Sequence, residues 1–374
     1  MRSILACALL AAATSSRAET ALPFDAAHWK LTGDAKIETY LGRTALRVRS
    51  GGAVAEAVSL RDGTIDLDMA VGTHRNFSAF YVRRERAGEY EEFYLRTHKS
   101  ELPDAIQYVP AWQGVGGWQL FHGAGFTAKA VFPRDRWFPV RIVLSGDRAA
   151  VFVNGAAKPQ LVVPRLRREP RAGAFEIDSV MLEDGDPEAR ASFSNVVVRP
   201  ADVRFDFSQA PPPPEREPPG VVRSWEISAP FTPPAGAIRA LPATASAGDW
   251  QNVRAEPSGL VVAERFVKRP EGVERPAVLA RVGLDSESDA VRELRFGYSD
   301  EVTVFLNGKP LFSGDAHYSH DNPRQEGLIG LWQGSVYLPL KKGRNELVLA
   351  VADVFGGWGW MAQVVDAAGV RVSP

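Results

Sequence analysis

Short runs in which apolar and polar residues alternate recur along most of the chain. The clearest run is Thr64–Met69, where Ile65, Leu67 and Met69 share one side of an extended strand. Turns rich in glycine and proline separate such runs, and no stretch shows a convincing helical period of 3.6 residues. The pattern predicts an all-β protein built of antiparallel β-sandwiches or jelly rolls.

Two Asn-Gly pairs mark turns between predicted strands. Val151–Val153 leads into Asn154-Gly155, and Val304–Leu306 leads into Asn307-Gly308. Both residues of a tight two-residue turn need positive φ, which Asn and Gly tolerate best. Each pair therefore predicts a β-hairpin.

A proline-rich segment divides the chain. Residues 201–220 include Pro211–Pro214 and Pro218-Pro219, which cannot donate hydrogen bonds to a sheet. A chain of 374 residues is long enough for two domains. We expect one sandwich over residues 19–200, a linker over 201–220 and a second, different sandwich over 221–374.

The first 18 residues have the composition of a secretory signal peptide. Arg2 precedes the short apolar run Ile4–Ala13, and Ser16-Arg17-Ala18 is a small-x-small cleavage pattern. The prediction is export to the periplasm or the cell exterior. Cys7, the only cysteine, lies in this segment, so the exported chain would contain no disulfide, thiolate nucleophile or cysteine metal site.

Charge excludes two classes of partner. The formal net charge is −1, and cleavage after Ala18 would leave 42 basic against 45 acidic residues. Such a balance gives no electrostatic reason to bind nucleic acid or an anionic membrane. No later apolar run is long enough to span a membrane. Oligomeric state is left open.

The stretch Glu91–Gly123 combines aromatic rings with planar polar side chains. Rings stack on the C–H face of a sugar, while amides, carboxylates and guanidinium groups hydrogen-bond to hydroxyls. The pattern predicts a glycan-binding site, and burial of about half of the rings in a sandwich core is the alternative. The expected ligand-binding residues are Tyr94, Arg96, His98, Gln107, Tyr108, Trp112, Trp118, Gln119 and His122.

Two tryptophans near the C-terminus are a further candidate. Trp358 and Trp360 are set among glycines, including Gly356-Gly357, which would let both indoles protrude from a loop. An exposed pair predicts either a sugar platform or a plug between domains. Trp332, in contrast, is expected in the core.

Three segments of the first half resemble the concanavalin A-like, laminin-G-type lectin/glucanase superfamily. They are Trp137–Gly146, Ala150–Gly155 and Ala191–Val196. The resemblance implies a jelly-roll sandwich. It implies no particular activity, because the superfamily includes lectins, glycosidases, lyases and adhesion modules.

The second half resembles a galactose-binding-like jelly roll. The matching segments are Val302–Gly308 and Val336–Leu347, and the latter contains the run Leu340-Lys341-Lys342-Gly343-Arg344-Asn345. The resemblance implies a fold and says little about binding. The expected fold is thus two tandem antiparallel β-sandwiches, a concanavalin A-like one followed by a galactose-binding-like one.

No complete catalytic set is visible. Glu176–Met181 is similar to the E-x-D-x-x-E strand of laminarinase-like glucanases, but Met181 stands where the acid/base glutamate is needed. Glu91 and Glu92 are adjacent on a strand and should point to opposite faces. If the protein is an enzyme, a glycoside hydrolase or polysaccharide lyase, its acids must come from separate strands. The suspects are Glu92, Arg96, His98, Asp104 and His122.

Metal sites are not expected. His317–Asp321 offers two histidines and an aspartate but too few ligands for zinc, and satisfied loop histidines are the alternative. Asp285, Glu287 and Asp289 lack the spacing of a calcium loop. We expect no cofactor, and structural Ca²⁺ has no support.

Three functions remain open. The first is an exported, non-catalytic protein that binds a poly- or oligosaccharide through stacking and polar contacts. The second is a carbohydrate-active enzyme whose acids come from separate strands. The third is an adhesion or structural module that contacts protein.

Overall fold

The computed structural model describes residues 19–182, 188–210, 217–242, 248–319 and 326–373, and this part of the chain is almost entirely β-structure. The predicted all-β class is confirmed. The expected signal peptide, the segment Pro211–Pro214 of the expected linker, and His320 and Asp321 lie outside the described residues. No helix in the described ranges has the length and apolar character that crossing a membrane requires.

The strands of the first half form two antiparallel sheets. They are β1 (Thr20–Leu22), β2 (Lys30–Gly33), β3 (Lys36–Tyr40), β4 (Arg43–Val48), β5 (Ser50–Leu60), β6 (Gly63–Ala70), β7 (Asn76–Arg86), β8 (Glu89–Arg96), β9 (Ile106–Trp112), β10 (Val115–Gly116), β11 (Thr127–Ala128), β12 (Phe138–Ser145), β13 (Arg148–Val153), β14 (Leu161–Val163), β15 (Gly173–Met181) and β16 (Ala191–Pro200). Sheet 1 has the order β14-β13-β12-β6-β16-β4-β3, with β1 beside β16. Sheet 2 has the order β10-β9-β8-β7-β15-β5-β2, with β11 beside β9.

Alternation along each strand explains how these sheets pack. Ile65, Leu67 and Met69 of β6 enter a common core with Phe93 of β8 and Phe175 of β15. Every second residue then points away from the core, as the pleat of a strand requires. The two sheets therefore form a sandwich, which we call the first sandwich.

The outer face of sheet 1 is polar around Asp66 and Asp68. Asp66 is paired with Arg141 at 2.6 Å and with Arg199, and Asp68 is paired with Arg43 at 2.6 Å. Both carboxylates alternate along β6 with the core residues Ile65, Leu67 and Met69, so they lie on the opposite side of the strand. Such partly exposed pairs contribute little to stability.

The strands of the second half form two further sheets. They are β17 (Ser224–Ile227), β18 (Gln251–Arg254), β19 (Val261–Val262), β20 (Ala277–Ser286), β21 (Ala290–Ser299), β22 (Glu301–Leu306), β23 (Lys309–Asp315), β24 (Gly334–Leu340), β25 (Gly343–Ala352), β26 (Gly359–Val365) and β27 (Val370–Ser373). Sheet 3 has the order β18-β17-β20-β25-β22-β23, with β27 beside β20, and sheet 4 has the order β19-β26-β21-β24. Short 3₁₀ turns lie at Thr97–Lys99, Phe207–Gln209 and Ala263–Arg265.

Sheets 3 and 4 enclose a separate core. Trp225 and Leu349 come from sheet 3, and Phe296, Leu338 and Trp360 come from sheet 4. We call this unit the second sandwich. Its strand arrangement agrees with the predicted sandwich, while the galactose-binding-like family stays a prediction.

The two Asn-Gly turns differ. Asn307 and Gly308 have positive φ and join β22 to β23 with Leu306 opposite Lys309, so this two-residue hairpin is confirmed. Asn154 and Gly155 also have positive φ, but the next strand, β14, begins only at Leu161. The prediction of a two-residue hairpin is wrong there, because the chain runs on through a longer loop before it pairs again.

Candidate functional site

The outer face of sheet 2 carries many of the side chains singled out in the stretch Glu91–Gly123. Residues directly opposite one another on neighbouring strands point to the same side of a sheet. One row across β9, β8, β7 and β15 consists of Val109, Glu92, Tyr81 and Glu176, and the next row consists of Gln107, Tyr94, Ala79 and Asp178. Glu91, in contrast, points into the core, so the two adjacent glutamates lie on opposite faces, as the sequence predicted.

Three of the predicted ligand-binding residues form a closed polar network on this face. The hydroxyl of Tyr94 donates to Oε1 of Gln107 at 2.6 Å, and Nη2 of Arg96 donates to both oxygens at 2.5 Å. Nε2 of Gln107 donates to the carbonyls of Trp118 and Phe121 at 2.8 and 2.5 Å. All three network side chains are buried, so their polar atoms bind protein groups that a ligand would have to displace.

The second sandwich covers this part of the face. Leu260, Val262, Ile329 and Met361 pack against an apolar group from the first sandwich. The members of that group are Ala79, Tyr94, Val109, Leu120 and Phe121. We call the two groups together the interface cluster.

Trp118, Gln119 and His122 also contact the second sandwich. Trp118 makes an edge contact with Tyr318 at 5.5 Å between ring centroids. Oε1 of Gln119 accepts from the hydroxyl of Ser299 at 2.8 Å, and Nε2 of His122 lies 2.7 Å from the carbonyl oxygen of Ile329. The prediction that these side chains form an open ligand-binding surface is wrong, because all three contact the second sandwich.

Trp112 lies at the border of the same interface. Its ring has Arg168 of the first sandwich at 5.8 Å and Arg265 of the second at 5.3 Å. A cation over an aromatic face is a stabilising contact. The ring of Trp112 therefore already contacts two arginine side chains of the protein.

Tyr108 is part of the first core. It is fully buried on the inner face of sheet 2, where its hydroxyl donates to Oε2 of Glu91 at 2.6 Å. Its position on the inner face corrects its assignment to the ligand set. The alternative reading, in which part of the aromatic stretch forms the core, applies to this residue.

Trp358 and Trp360 are fully buried in the second core, which excludes them as a sugar platform. Nε1 of Trp358 donates to the carbonyl of Val351 at 3.1 Å. The neighbouring glycines serve a different purpose from the predicted one. A Cβ at Gly356 would lie 2.6 Å from Nε1 of Trp118, so its absence lets the first sandwich approach closely.

His98 and Asp104 are held by local contacts. Nδ1 of His98 lies 3.1 Å from the carbonyl oxygen of Asn76, and burial lowers the pKa of this histidine to about 4. A histidine with that pKa is neutral near pH 7 and is poorly matched to proton transfer there. Asp104 accepts from Nζ of Lys99 at 2.6 Å. Among the five suspects for catalysis, Glu92 alone lies in a row with other carboxyl groups.

Glu92, Glu176 and Asp178 form a carboxyl cluster on the outer face. Glu92 and Glu176 are two strands apart with Tyr81 between them, and Asp178 is two residues further along β15. Glu92 and Asp178 are partly buried, and Glu176 is buried. Asp178 stands opposite the small residue Ala79.

Burial dominates the electrostatics of this cluster. It raises the pKa of Glu92 to about 8, with a further rise from the negative charge of Asp178 and a smaller lowering from Arg96. Burial also raises the pKa of Asp178 to about 7, and the charge of Glu176 adds to this. The cluster therefore offers a protonated carboxylic acid and a second carboxyl that is about half ionised near pH 7.

Glu176 has a cationic partner. Nε of Arg84 lies 2.5 Å from Oε2 of Glu176, and this charge opposes the rise in pKa that burial causes. Beside the cluster, the rings of Tyr81 and Tyr90 are stacked with 4.0 Å between centroids. The acid groups thus lie next to a pair of partly exposed rings, of which Tyr81 also packs against the interface cluster.

In the described ranges no three His, Cys, Asp or Glu side chains, those of the carboxyl cluster included, are placed so that they could hold a metal ion. Nδ1 of His317 lies 2.5 Å from Oδ1 of Asp315. Asp289 accepts from Nζ of Lys341 at 3.0 Å and from the backbone N–H of Lys342 at 2.8 Å, as expected for a solvated turn.

Sequence reasoning missed two features. It rejected β15 as a catalytic strand because of Met181, although alternation places Glu176 and Asp178 on one face. The third carboxyl, Glu92, comes from β8, and no spacing in the sequence links these strands. It also expected Trp332 in the core, whereas 73% of this side chain is exposed.

Comparisons with known proteins give partial structural similarities only. No family model and no curated protein matches the chain. The carbohydrate-binding module CBM66 from Bacillus subtilis aligns with 46% of the chain and 95% of its own length at 14% identity and a TM-score of 0.34. A β-glucanase from Bacillus licheniformis aligns with 49% and 97% at 13% identity and a TM-score of 0.34. The exoplasmic/lumenal domain of VIP36 aligns with 51% and 91% at 13% identity and a TM-score of 0.36. Similarities of this size do not identify a family or an activity.

Proposed function

We propose that this protein is a carbohydrate-active enzyme that hydrolyses glycosidic bonds at the carboxyl cluster. The observation that carries the proposal is the placement of Glu92 and Asp178 on one face of sheet 2, where burial raises the pKa of both. Pairs of carboxyl groups whose environments separate their protonation states are what acid/base hydrolysis of a glycoside needs.

The roles follow from the charges. Glu92, with a pKa of about 8, is protonated near pH 7 and donates its proton to the glycosidic oxygen as the bond to the anomeric carbon breaks. Asp178, when ionised, takes a proton from the water that attacks that carbon. One water is consumed, and the two carboxyl groups exchange protonation states, which solvent restores. The stacked rings of Tyr81 and Tyr90 provide a surface for a sugar face.

For this chemistry the two side chains must reach across the sheet. Neighbouring strands lie about 4.8 Å apart and alternate residues of one strand about 6.7 Å apart, so Glu92 and Asp178, two strands and one row apart, are separated by roughly 12 Å between Cα atoms. Carboxyl groups in glycosidases are about 5–9.5 Å apart. Oε2 of Glu92 lies 2.7 Å from the position that a Cβ would take at Gly116 on β10, on the side away from β15, so hydrolysis requires Glu92 to turn toward Asp178.

The experiment compares three isosteric variants of the full chain. Glu92→Gln and Asp178→Asn are measured for release of reducing ends from neutral polysaccharides, and Glu56→Gln is the control. Glu56 is exposed and pairs loosely with Lys30 at 3.6 Å. We expect each cluster variant to lose at least about 100-fold in rate, the scale of a general acid or base. Undiminished hydrolysis by Glu92→Gln, or unsaturated products that indicate a lyase, would overturn the assignment.

A second candidate is the non-catalytic glycan-binding protein. The observation that favours it is Tyr81, which stands beside Glu92 on the strand between Glu92 and Asp178, where a scissile bond would have to pass. Binding of polysaccharide with no products, and with affinity unchanged in Glu92→Gln, would select this function. Absence of both binding and turnover would instead favour an adhesion or structural module.

Export is part of the proposal, because most polysaccharide substrates lie outside the cell. Residues 1–18 would be removed after Ala18. N-terminal sequencing of the protein purified from its native host tests this, and an intact Met1 in the mature protein would refute it.

A further inference from the structure

A groove on the second sandwich lies outside the carboxyl cluster. It has a volume of about 590 Å³ and is bordered by the outer face of sheet 4 and the segment Leu331–Gly334. Trp332 forms one wall with 73% of its surface exposed, and Tyr337, two residues beyond the lining residue Ser335, is 68% exposed. Alternate residues of a strand are about 6.7 Å apart, so the groove and Tyr337 form one continuous strip.

The indole of Trp332 is held in place despite its exposure. Its Nε1 would lie 2.1 Å from a Cβ at Gly330, so the ring rests directly on the backbone of that glycine. The loop itself is fixed by Gln333, whose Nε2 donates to the carbonyl of Tyr298 and whose Oε1 accepts from the N–H of Tyr298, both at 2.9 Å. An aromatic ring that is already oriented loses little conformational entropy when a ligand stacks on it.

The side chains that line the groove carry no net charge, because one glutamate and one arginine are present. Nε of Arg295 donates to Oε1 of Glu293 at 2.9 Å, which cancels the two charges. Ser335, Gln333 and Gln363 contribute a hydroxyl and amides. A surface of this kind offers hydrogen bonds to hydroxyl groups and gives no attraction to a polyanion or an anionic membrane.

The groove begins where the contact between the sandwiches ends. Leu331 packs against the interface cluster and also lines the groove. A chain bound there would therefore lie beside the border of the first sandwich.

We propose that the Trp332 groove is a binding site for a neutral oligosaccharide chain, separate from the carboxyl cluster. The sugar stacks on Trp332, extends toward Tyr337 and receives hydrogen bonds from the polar groups between them. The inference rests on the proposed function in that both concern carbohydrate, but the site needs no catalytic group. A protein partner is disfavoured because the two exposed rings offer far less area than the roughly 1,200 Å² that a stable protein interface buries.

Affinity electrophoresis of the full chain tests the site. The probes are a mixed-linkage β-glucan, a xylan and a galactomannan, with a sulfated glucan as the anionic comparison. Trp332→Ala should weaken retardation at least about fivefold, because stacking of a ring on an aromatic side chain contributes about 1–3 kcal/mol on the scale measured for nucleic-acid bases. Gly330→Ala keeps the indole of Trp332 but adds a Cβ that forces the ring out of its present position, so it should also weaken retardation. Val291→Ala, which changes a side chain 61% exposed on the neighbouring strand, is the control and should bind normally.

The outcomes separate the two proposals. Normal retardation of Trp332→Ala overturns the groove as a binding site and leaves hydrolysis at Glu92 untouched. Loss of retardation in Trp332→Ala with hydrolysis of short oligosaccharides retained supports the groove independently of the cluster. Failure of the wild-type chain to bind any neutral probe, or binding of the sulfated glucan alone, overturns the groove. Circular dichroism of each variant checks that the sandwich is folded.

Discussion

Replacement of Glu92 by glutamine should stabilise the folded protein at alkaline pH. The folded environment raises the pKa of this carboxyl from 4.5 to about 8, so the native state holds a proton that the unfolded chain has already lost. Stability from this group is fully present below about pH 4.5 and is lost as the pH rises toward and through the folded pKa of about 8. Glutamine has the same shape and no charge to bury.

The size of the effect follows from linkage. Each pH unit between the two pKa values corresponds to about 1.4 kcal/mol of unfolding free energy. The penalty carried by Glu92 is about 1 kcal/mol near pH 5 and about 4 kcal/mol near pH 8. The difference in unfolding free energy between Glu92→Gln and wild type should therefore grow by about 3 kcal/mol between these two pH values.

Urea unfolding followed by circular dichroism at both pH values measures this growth. Effects of the amide itself, such as an unmade hydrogen bond, are the same at both pH values and cancel in the comparison. Glu56→Gln, on an exposed side chain, should show no growth. If this difference in unfolding free energy grows by less than about 1 kcal/mol for Glu92→Gln, or is larger near pH 5 than near pH 8, the pKa of Glu92 is not raised as the proposed proton donor requires.

Two further predictions concern the tryptophans and glycines of the second sandwich. Trp360→Ala should lower the unfolding free energy by about 3–5 kcal/mol, because it leaves a cavity beside the buried ring of Trp225. Retardation by polysaccharides should stay unchanged, and weakened binding without lost stability would contradict the placement of Trp360 in the core. Gly356→Ala should cost about 1–3 kcal/mol more than Gly343→Ala. Both glycines have a φ near +90°, but only the Cβ at Gly356 meets a neighbour, Trp118, so equal losses in the two urea titrations would refute the close packing there.

The local pattern of the sequence predicts much of the fold. Alternation places Ile65 in the core and Asp66 outside it, and it places Glu91 and Glu92 on opposite faces of one strand. The turn at Asn307 is equally local, because both residues of the hairpin are adjacent in the chain. These features depend on interactions between near neighbours, which a single sequence displays directly.

The candidate site depends on distant pairings, which the sequence does not display. Alternation shows that Tyr94 and Glu92 share a face, but not that the second sandwich packs on Tyr94 or that β15 brings Asp178 onto the same face. Neighbouring glycines suggested protruding rings at Trp358, whereas they permit close approach of another segment. Trp332 has the sequence context of a core residue, and only the position of its loop at the sheet edge exposes it.

The contacts made by Gln119 and His122 limit how this protein can be rearranged. Many β-sandwich chains are assembled from units that recombine freely, since each unit has a polar exterior of its own. Here the first sandwich carries Leu120 and Phe121 on its exterior, where they pack in the interface cluster with apolar side chains of the second sandwich. Exchange of either half for an unrelated sandwich would expose this apolar surface to water, so each half depends on the other to cover it.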